Sequence, residues 1–302
     1  MRITPRELHI KDGYYLDQVY PPSNQNHKRD KDVAFVPAFL STTSTIATVH
    51  HDHHRFRKSL LLKFFSKQSL MKLEPYVQEK ADEVTDMLYR AYDKTEILDL
   101  QVLFAGLTAD VISHYAFGES FEALGHPESG NVSLRAGNAA VHCFHFNRFF
   151  PVFRYLIGRI PSWLVVKVQP KQANLVDALN IVYRKSTDAL ECRPLKNLQR
   201  KTIFDALVDP SVPAEERTTT RLLDEALVIL VAGTLTTARA LALIGFHLAN
   251  DKEVATCLRN ELRSVMPLPT SRATWNDLEH LPYLVGPLSL HPLGYWRIQR
   301  LI

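Results

Sequence analysis

The feature that most constrains the fold is a long apolar stretch in the last third of the chain. From about Arg221 to Leu248 most positions are apolar, which predicts one long helix with Asp224 and Glu225 favourably placed near its N-terminal dipole. Apolar residues cover nearly every face, so the pattern predicts a helix buried on all sides. The uncharged run Ala226–Ala238 is too short to span a bilayer, which favours a core helix over a membrane span.

The centre of this helix, AGTLTTARA, contains a glycine and three threonines, all poor helix formers. Such a stretch can bend or form a bulge, and distortions of long helices often lie at functional sites, where a threonine hydroxyl could bind a ligand. Alternatively, Gly233 lets a neighbouring helix approach closely while the threonines bond back to carbonyls one turn earlier. The motif by itself favours the packing interpretation.

Most of the remaining chain also has helical signals, and strand signals are confined to its beginning. RIT and ELHIKD, near the N-terminus, are the best strand candidates. The predicted fold class is therefore mainly α with a small N-terminal β element. Helix starts are predicted at Pro75, Asp99, Asp251 and Thr274 with Asp277, and a helix end is predicted at Gly118. A separate helix is predicted from the periodic positions Leu175, Ala178, Leu179 and Val182.

The C-terminal tail differs in kind from the rest of the chain. After Tyr283 the sequence carries Pro287 and Pro292, with Gly286 and Gly294, a composition that predicts no regular helix. The predicted organisation is therefore one domain over residues 1–284, followed by an unrelated tail over residues 285–302.

Composition excludes several classes of function. The 302 residues are 46% hydrophobic with a net charge of +4, which suits a globular protein, and no Lys/Arg run suggests a nucleic-acid partner. Three scattered cysteines, Cys143, Cys192 and Cys257, do not form a disulfide framework and indicate a reducing compartment. The polar, charged N-terminus resembles neither a signal peptide nor a membrane anchor.

A histidine-rich stretch, HHDHHRFRK, is the main candidate for binding chemistry outside the long helix. On a helix His50 and His54 share one face, as zinc ligands can, although no further ligand set appears. A second interpretation is a cationic helix start that binds an anion through His54, Arg55, Arg57 and Lys58. A solvated basic face is the third and, in isolation, the favoured one. Within an otherwise apolar helix, Asp110 is interpreted as a satisfied core or cap-bonding carboxylate rather than a catalytic acid.

Taken in order, the segments resemble the cytochrome P450 haem-thiolate monooxygenases, in particular the fungal microsomal members. The resemblance is carried by RITPRELHIKDGYYLDQVY, HDHHRFRKSLLLKFFS, LTADVISHYAFGESFEAL, TIFDALVD, LLDEALVILVAGTLTTARALALIGFHLAND, ELRSVMP and WNDLEHLPYL. It covers about Arg2 to Leu284 and implies a partial cytochrome P450 fold.

The resemblance also implies roles for residues in the long helix. Ala232 and Gly233 would line the groove that makes room for dioxygen over a haem, and Thr237 would belong to the same cofactor site. Thr236 matches the alcohol that helps to deliver protons and is the candidate catalytic residue. The family usually has an acid just before this alcohol, but here the position is Leu235, which cannot relay a proton.

On the histidine-rich helix, the resemblance places His54 and Lys58 at the two positions that contact the haem propionates. Lys58 stands where arginine is commoner, so a single ammonium replaces a two-pronged donor. The cofactors implied are haem and NADPH, with electrons supplied by a cytochrome P450 reductase. The implied substrate is a lipophilic small molecule of fungal secondary metabolism, and the implied location is the cytosolic face of the endoplasmic reticulum membrane.

The chain also departs from the family. It has no Glu-x-x-Arg helix, no Phe-x-x-Gly loop with the haem-ligating cysteine and no N-terminal anchor, so no metal ligand is predicted. The expectation is a truncated, cytoplasmic chain without a transmembrane segment that cannot run the reaction unaided. The alternatives are a non-catalytic truncated or pseudogene product, a helical binding protein, and a histidine-rich metal protein.

Overall fold

A short antiparallel ribbon begins the chain, with β1 (Arg2–Thr4) paired to β2 (Glu7–Leu8) in the register Arg2 to Leu8. The computed structural model describes residues 2–5, 7–20, 28–39, 41–126, 202–268 and 270–288, together with scattered positions between 130 and 152. Nearly all other regular structure in these residues is helical. The predicted fold class, mainly α with a small N-terminal β element, is confirmed.

Ten α-helices lie within the continuously described ranges, joined by turns and short 3-10 helices. They are α1 (Leu16–Val19), α2 (His51–Leu62), α3 (Lys67–Met71), α4 (Glu74–Lys94), α5 (Leu100–Phe117), α6 (Ile203–Leu207), α7 (Thr219–Asn250), α8 (Lys252–Leu262), α9 (Trp275–Leu278) and α10 (Pro282–Leu288). The 3-10 helices are Gly13–Tyr15, Val33–Ala38 and Ala214–Glu216.

The helix ends lie where the capping residues predict them. The Asp99 carboxylate accepts from the amides of Gln101 and Val102 at the start of α5, and Gly118 ends that helix with φ of 79°. Asp251 caps α8 in the same way. Thr274 and Asp277 form the expected capping box at α9.

The core is built where α5 crosses α7 and where α6 packs beside them. Leu222, Ala226 and Ile229 of α7 are buried against aromatic side chains. Among these, the rings of Phe117 and Phe204 stack with their centroids 4.7 Å apart. Burial of this apolar surface is the main force that holds the three helices together.

Asp110 lies in the middle of α5 and is fully buried. Its two carboxylate oxygens accept hydrogen bonds from the backbone amides of Ala123 and Leu124, at 2.6 and 3.0 Å. The carboxylate thus satisfies two amides of the chain that follows α5. The interpretation of Asp110 as a satisfied core carboxylate is confirmed.

The prediction that α7 is buried on all sides is wrong. Leu243 and Phe246, in its C-terminal half, are exposed by 52% and 58%. Among the described residues the helix packs chiefly on α5, and part of its C-terminal half is left uncovered. Both α5 and α7 are long and apolar enough to cross a membrane by length and composition.

The absence of helix after Tyr283 is also contradicted, because α10 extends from Pro282 to Leu288. Pro282 suits a first-turn position, and the Glu261 carboxylate accepts from the amides of Tyr283 and Leu284, both at 2.8 Å. These contacts satisfy amides that have no partner within the helix itself. The predicted helix around Leu175–Val182, Cys143, Cys192 and the tail beyond residue 288 lie outside the described residues.

Candidate functional site

A cavity of about 310 Å³ lies between α2, α5, α7 and the threonine segment, by which we mean residues 41–48 (STTSTIAT). Its wall is mostly apolar, with three polar side chains. The lining residues are Thr45, Ile46, His54, Leu61, Phe65, Ile112, Glu225, Val228, Ile229, Ala232 and Gly233.

Three of the six site residues expected from the sequence meet at this cavity. His54 comes from α2, and Ala232 and Gly233 come from α7. Lys58, Thr236 and Thr237 are exposed and are not among the lining residues. The Thr236 hydroxyl donates to the carbonyl of Ala232, one turn earlier, at 2.8 Å. The structure therefore joins the two helices at one site and leaves both threonines outside its lining.

The centre of α7 is α-helical without interruption, so the glycine and threonines open no bulge. A Cβ built on Gly233 would lie 2.7 Å from Cγ1 of Ile112 on α5, which shows that glycine permits the close contact between the helices. Thr108 of α5 also donates to the carbonyl of Thr234 at 3.1 Å. Leu235 is buried in an apolar cluster with Ala105 and Ala238 rather than at the cavity.

Gly233→Ala is expected to destabilise the protein by about 1–2 kcal/mol, although alanine gains about 1 kcal/mol in helix propensity. The added methyl meets the branched, stiff Ile112 side chain. The matched control is Gly245→Ala on the same helix, whose methyl would lie 3.1 Å from the flexible end of Leu100 and in ordinary contact with Phe104 at 3.8 Å, and should therefore stabilise. Chemical denaturation measures both, and the same sign at the two positions would contradict the packing argument.

His54 combines a cavity position with a cationic environment. Burial lowers the pKa of His54 below the ordinary value of 6.5, and the charges of Lys31, Lys58 and His51 lower it further. An anion placed among these groups would be attracted by each of them and would favour the protonated imidazole. Lys58 makes no ion pair with any described residue, so its ammonium is available for such a ligand.

Beside the cavity lies a buried network of alternating charges that the sequence interpretation missed. The guanidinium of Arg57 binds both oxygens of Glu216. Arg221 then joins Glu216 to Glu225, so that two cations alternate with two anions. Burial opposes the ionisation of Glu216, but hydrogen bonds from Arg57 and His53 outweigh it, and the pKa lies below its usual value.

The network holds the threonine segment against α7. The backbone amide and hydroxyl of Thr43 bind the Asp224 carboxylate at 2.7 and 2.6 Å, and those of Thr45 bind Glu225 at 2.9 and 2.8 Å. The sequence relates Asp224 and Glu225 only to the helix dipole, because these residues lie about 180 positions from the threonines that they contact. The sequence feature that could have indicated this network is the group of three charged residues, Arg221, Asp224 and Glu225, at the start of an otherwise apolar helix.

The histidine-rich stretch forms the start of α2, with His50 at its N-cap. Its side chains make different contacts. His50 contacts Asp30, whereas both His53 and Arg57 contact Glu216, and His54 lines the cavity. Among the described residues, no group of three or more His, Cys, Asp or Glu side chains is placed to hold a metal ion. The solvated-face interpretation is wrong for Arg57, which is nearly buried.

Comparison with known proteins identifies relatives across almost all of the chain. The family model "Cytochrome P450" matches residues 16–287. The cytochrome P450 monooxygenase claJ of Penicillium crustosum is 34% identical over 296 residues, which cover 96% of this chain and 66% of that protein. The cytochrome P450 monooxygenase aflU of Aspergillus parasiticus is 36% identical over 292 residues, which cover 95% of this chain and 56% of that protein.

The chain therefore spans between about half and two thirds of the length of these curated relatives. A solved structure is also similar, the crystal structure of the cytochrome P450 CYP102L1, with a TM-score of 0.60. The alignment covers 88% of this chain and 60% of that one at 17% identity, which supports the fold alone.

Proposed function

Because the chain belongs to the cytochrome P450 family, we propose that it supplies the oxygen-side face of a haem monooxygenase that oxidises a lipophilic small molecule. The observation that carries this proposal is the meeting of His54 of α2 with Ala232 and Gly233 of α7 at one cavity. The fungal monooxygenases reported above support the reaction class.

The cavity wall suits one face of a haem, which is a flat, apolar ring with two carboxylates at one edge. Leu61, Phe65, Ile112 and Ile229 provide apolar surface. At the His54 end, Lys31, Lys58 and His51 provide positive charge for the carboxylates. Cys257, the one cysteine within the described residues, is exposed on α8 and does not line the cavity. The described residues therefore suit one face of the haem ring and the edge that carries its carboxylates.

When bound, haem would supply the activation of dioxygen. In the proposal His54 and Lys58 hold its carboxylates, while Ala232 and Gly233 leave space beside α7 because neither has a side chain beyond Cβ. The Thr236 hydroxyl holds a proton at Oγ1, one turn from Ala232, and Thr237 borders the same edge. Leu235 is buried against α5 and takes no part in moving protons.

Electron supply and location complete the proposal. Electrons come from NADPH through a cytochrome P450 reductase at the cytosolic face of the endoplasmic reticulum, in a pathway of fungal secondary metabolism. None of the described lining residues offers a thiolate. We therefore expect this chain to bind haem on this face without oxidising a substrate when reductase and NADPH are added. Turnover above a haem-only control would contradict that expectation.

Haem titration of the full chain tests the cofactor site. Haem carboxylates raise the pKa of His54 from its lowered value, so binding takes up a proton. The affinity is thus expected to rise severalfold as the pH falls toward the lowered pKa of His54 in the free chain. The change in haem absorbance on binding provides the measurement.

Variants separate this site from general binding to basic groups. His54→Phe should abolish the pH dependence, and Lys58→Met should weaken binding at every pH. His50→Phe is the matched control, because His50 is exposed, contacts Asp30 and does not line the cavity. Equal effects of the substitutions at positions 50 and 54 would show that haem does not bind at this cavity.

A further inference from the structure

Glu225 is the one carboxylate among the described residues that line the cavity. The residue is only 2% exposed, so most of its polar surface lies away from bulk water. A carboxylate in a mostly apolar wall is stabilised by a hydrogen-bond partner at each oxygen, and the two oxygens of Glu225 differ in this respect.

One oxygen, Oε2, is fully occupied. It accepts from the amide of Thr45 at 2.9 Å, from the hydroxyl of Thr45 at 2.8 Å and from the guanidinium of Arg221. These contacts fix the orientation of the carboxylate and balance its charge. The other oxygen, Oε1, accepts no hydrogen bond from any residue that the structure describes, and it is not among the fully enclosed atoms that lack a partner. Glu225 thus keeps an acceptor for whatever occupies the cavity.

We infer that the cavity takes a lipophilic molecule that carries a hydroxyl group, and that this hydroxyl donates to Oε1 of Glu225. The inference rests on the proposed function, because it assigns the substrate class of the same site. A neutral hydroxyl suits the acceptor better than a cation, since Arg221 already balances the charge of Glu225. The apolar remainder of the molecule contacts Val228 and Ile46.

The contact with Glu225 also determines which part of the molecule reaches the groove beside Ala232 and Gly233. Glu225 precedes Ala232 by seven residues on one uninterrupted helix. At the rise of an α-helix this separates the two positions by about 10 Å along the axis. A molecule anchored at Glu225 therefore presents to Ala232 and Gly233 a carbon about 10 Å from its hydroxyl.

Menthol and menthone test the inference, because they share one skeleton and differ in a hydroxyl or a carbonyl. Calorimetric titration of the full chain is expected to show menthol binding about tenfold tighter, since only the alcohol donates to the carboxylate. Equal binding, tighter binding of menthone, or binding of neither molecule would overturn the inference. This comparison needs no variant and no haem, so its outcome is separate from that of the haem titration.

Glu225→Gln sharpens the test. The glutamine carbonyl must take the place of Oε2, which faces donors from Thr45 and Arg221, so the amide nitrogen takes the place of Oε1. The preference should then reverse in favour of menthone. Asp224→Asn is the matched control, because Asp224 binds the same threonine segment through Thr43 but does not line the cavity. A preference unchanged by Glu225→Gln, in a variant whose circular dichroism shows normal helix, would also overturn the inference.

Discussion

Replacing Arg221 with methionine is expected to lower the free energy of unfolding by about 3–5 kcal/mol. Arg221 is 3% exposed and joins Glu216 to Glu225. Its removal leaves two buried carboxylates without their shared cation, and Thr45 loses a donor at 3.0 Å. The penalty is the cost of burying uncompensated charge, which exceeds the net contribution of an intact ion pair. Urea denaturation monitored by circular dichroism measures the difference.

Arg272→Met is the control for this prediction. Arg272 pairs with Asp82, but both side chains are largely exposed, so water can replace the lost contact. The expected loss is below about 1 kcal/mol. A double variant, Arg221→Met with Glu225→Gln, should recover part of the stability because it removes one of the stranded charges. Equal losses for Arg221→Met and Arg272→Met would show that the network does not stabilise the fold.

Asp110→Ala is the second substitution with a large expected effect, about 2–5 kcal/mol. It leaves the amides of Ala123 and Leu124 buried without acceptors, at a cost of about 1–3 kcal/mol for each donor. It also opens a small void in the middle of α5. Thermal and urea denaturation should both report the loss.

Asp99→Ala provides the comparison, because Asp99 also accepts from two backbone amides. Asp99 is exposed at the N-cap of α5, so water replaces it, and the expected loss is about 1 kcal/mol. The two substitutions remove the same chemical group and the same number of hydrogen bonds, and they differ in burial. If Asp99→Ala destabilised as much as Asp110→Ala, burial would not be the cause.

The charge network connects stability with the cavity. Arg57 binds the carbonyl of Thr43 and the hydroxyl of Thr48, both in the threonine segment, and Glu225 binds Thr45 in the same segment. Thr45 and Ile46 in turn form part of the cavity wall. Substitutions in the network should therefore affect ligand binding as well as unfolding, whereas Asp110→Ala should affect mainly unfolding.

The sequence alone determined the helices and their ends. Capping is local: Asp99, Asp251 and Thr274 bond to amides two or three residues away, so their residue types and positions predict the helix starts directly. The resemblance to a known family likewise depends on the order of segments along the chain. The expectation that Asp110 is a core carboxylate followed from its apolar neighbours, without knowledge of its partners.

Only the tertiary structure decided the partners of the buried charges and the exposed side of α7. Thr45 and Glu225 are 180 residues apart, and no local pattern relates them. The sequence pattern of α7 indicates that most of its surface is apolar. Which of its faces are buried depends on the elements that pack beside it. Pro287 predicted no regular helix after Tyr283, yet α10 extends from Pro282 to Leu288, and the remote Glu261 carboxylate satisfies its first amides. Contacts between segments far apart in the chain determine the partners of the buried charges and the exposed side of α7. Helix propensity and residue spacing are local properties and do not contain this information.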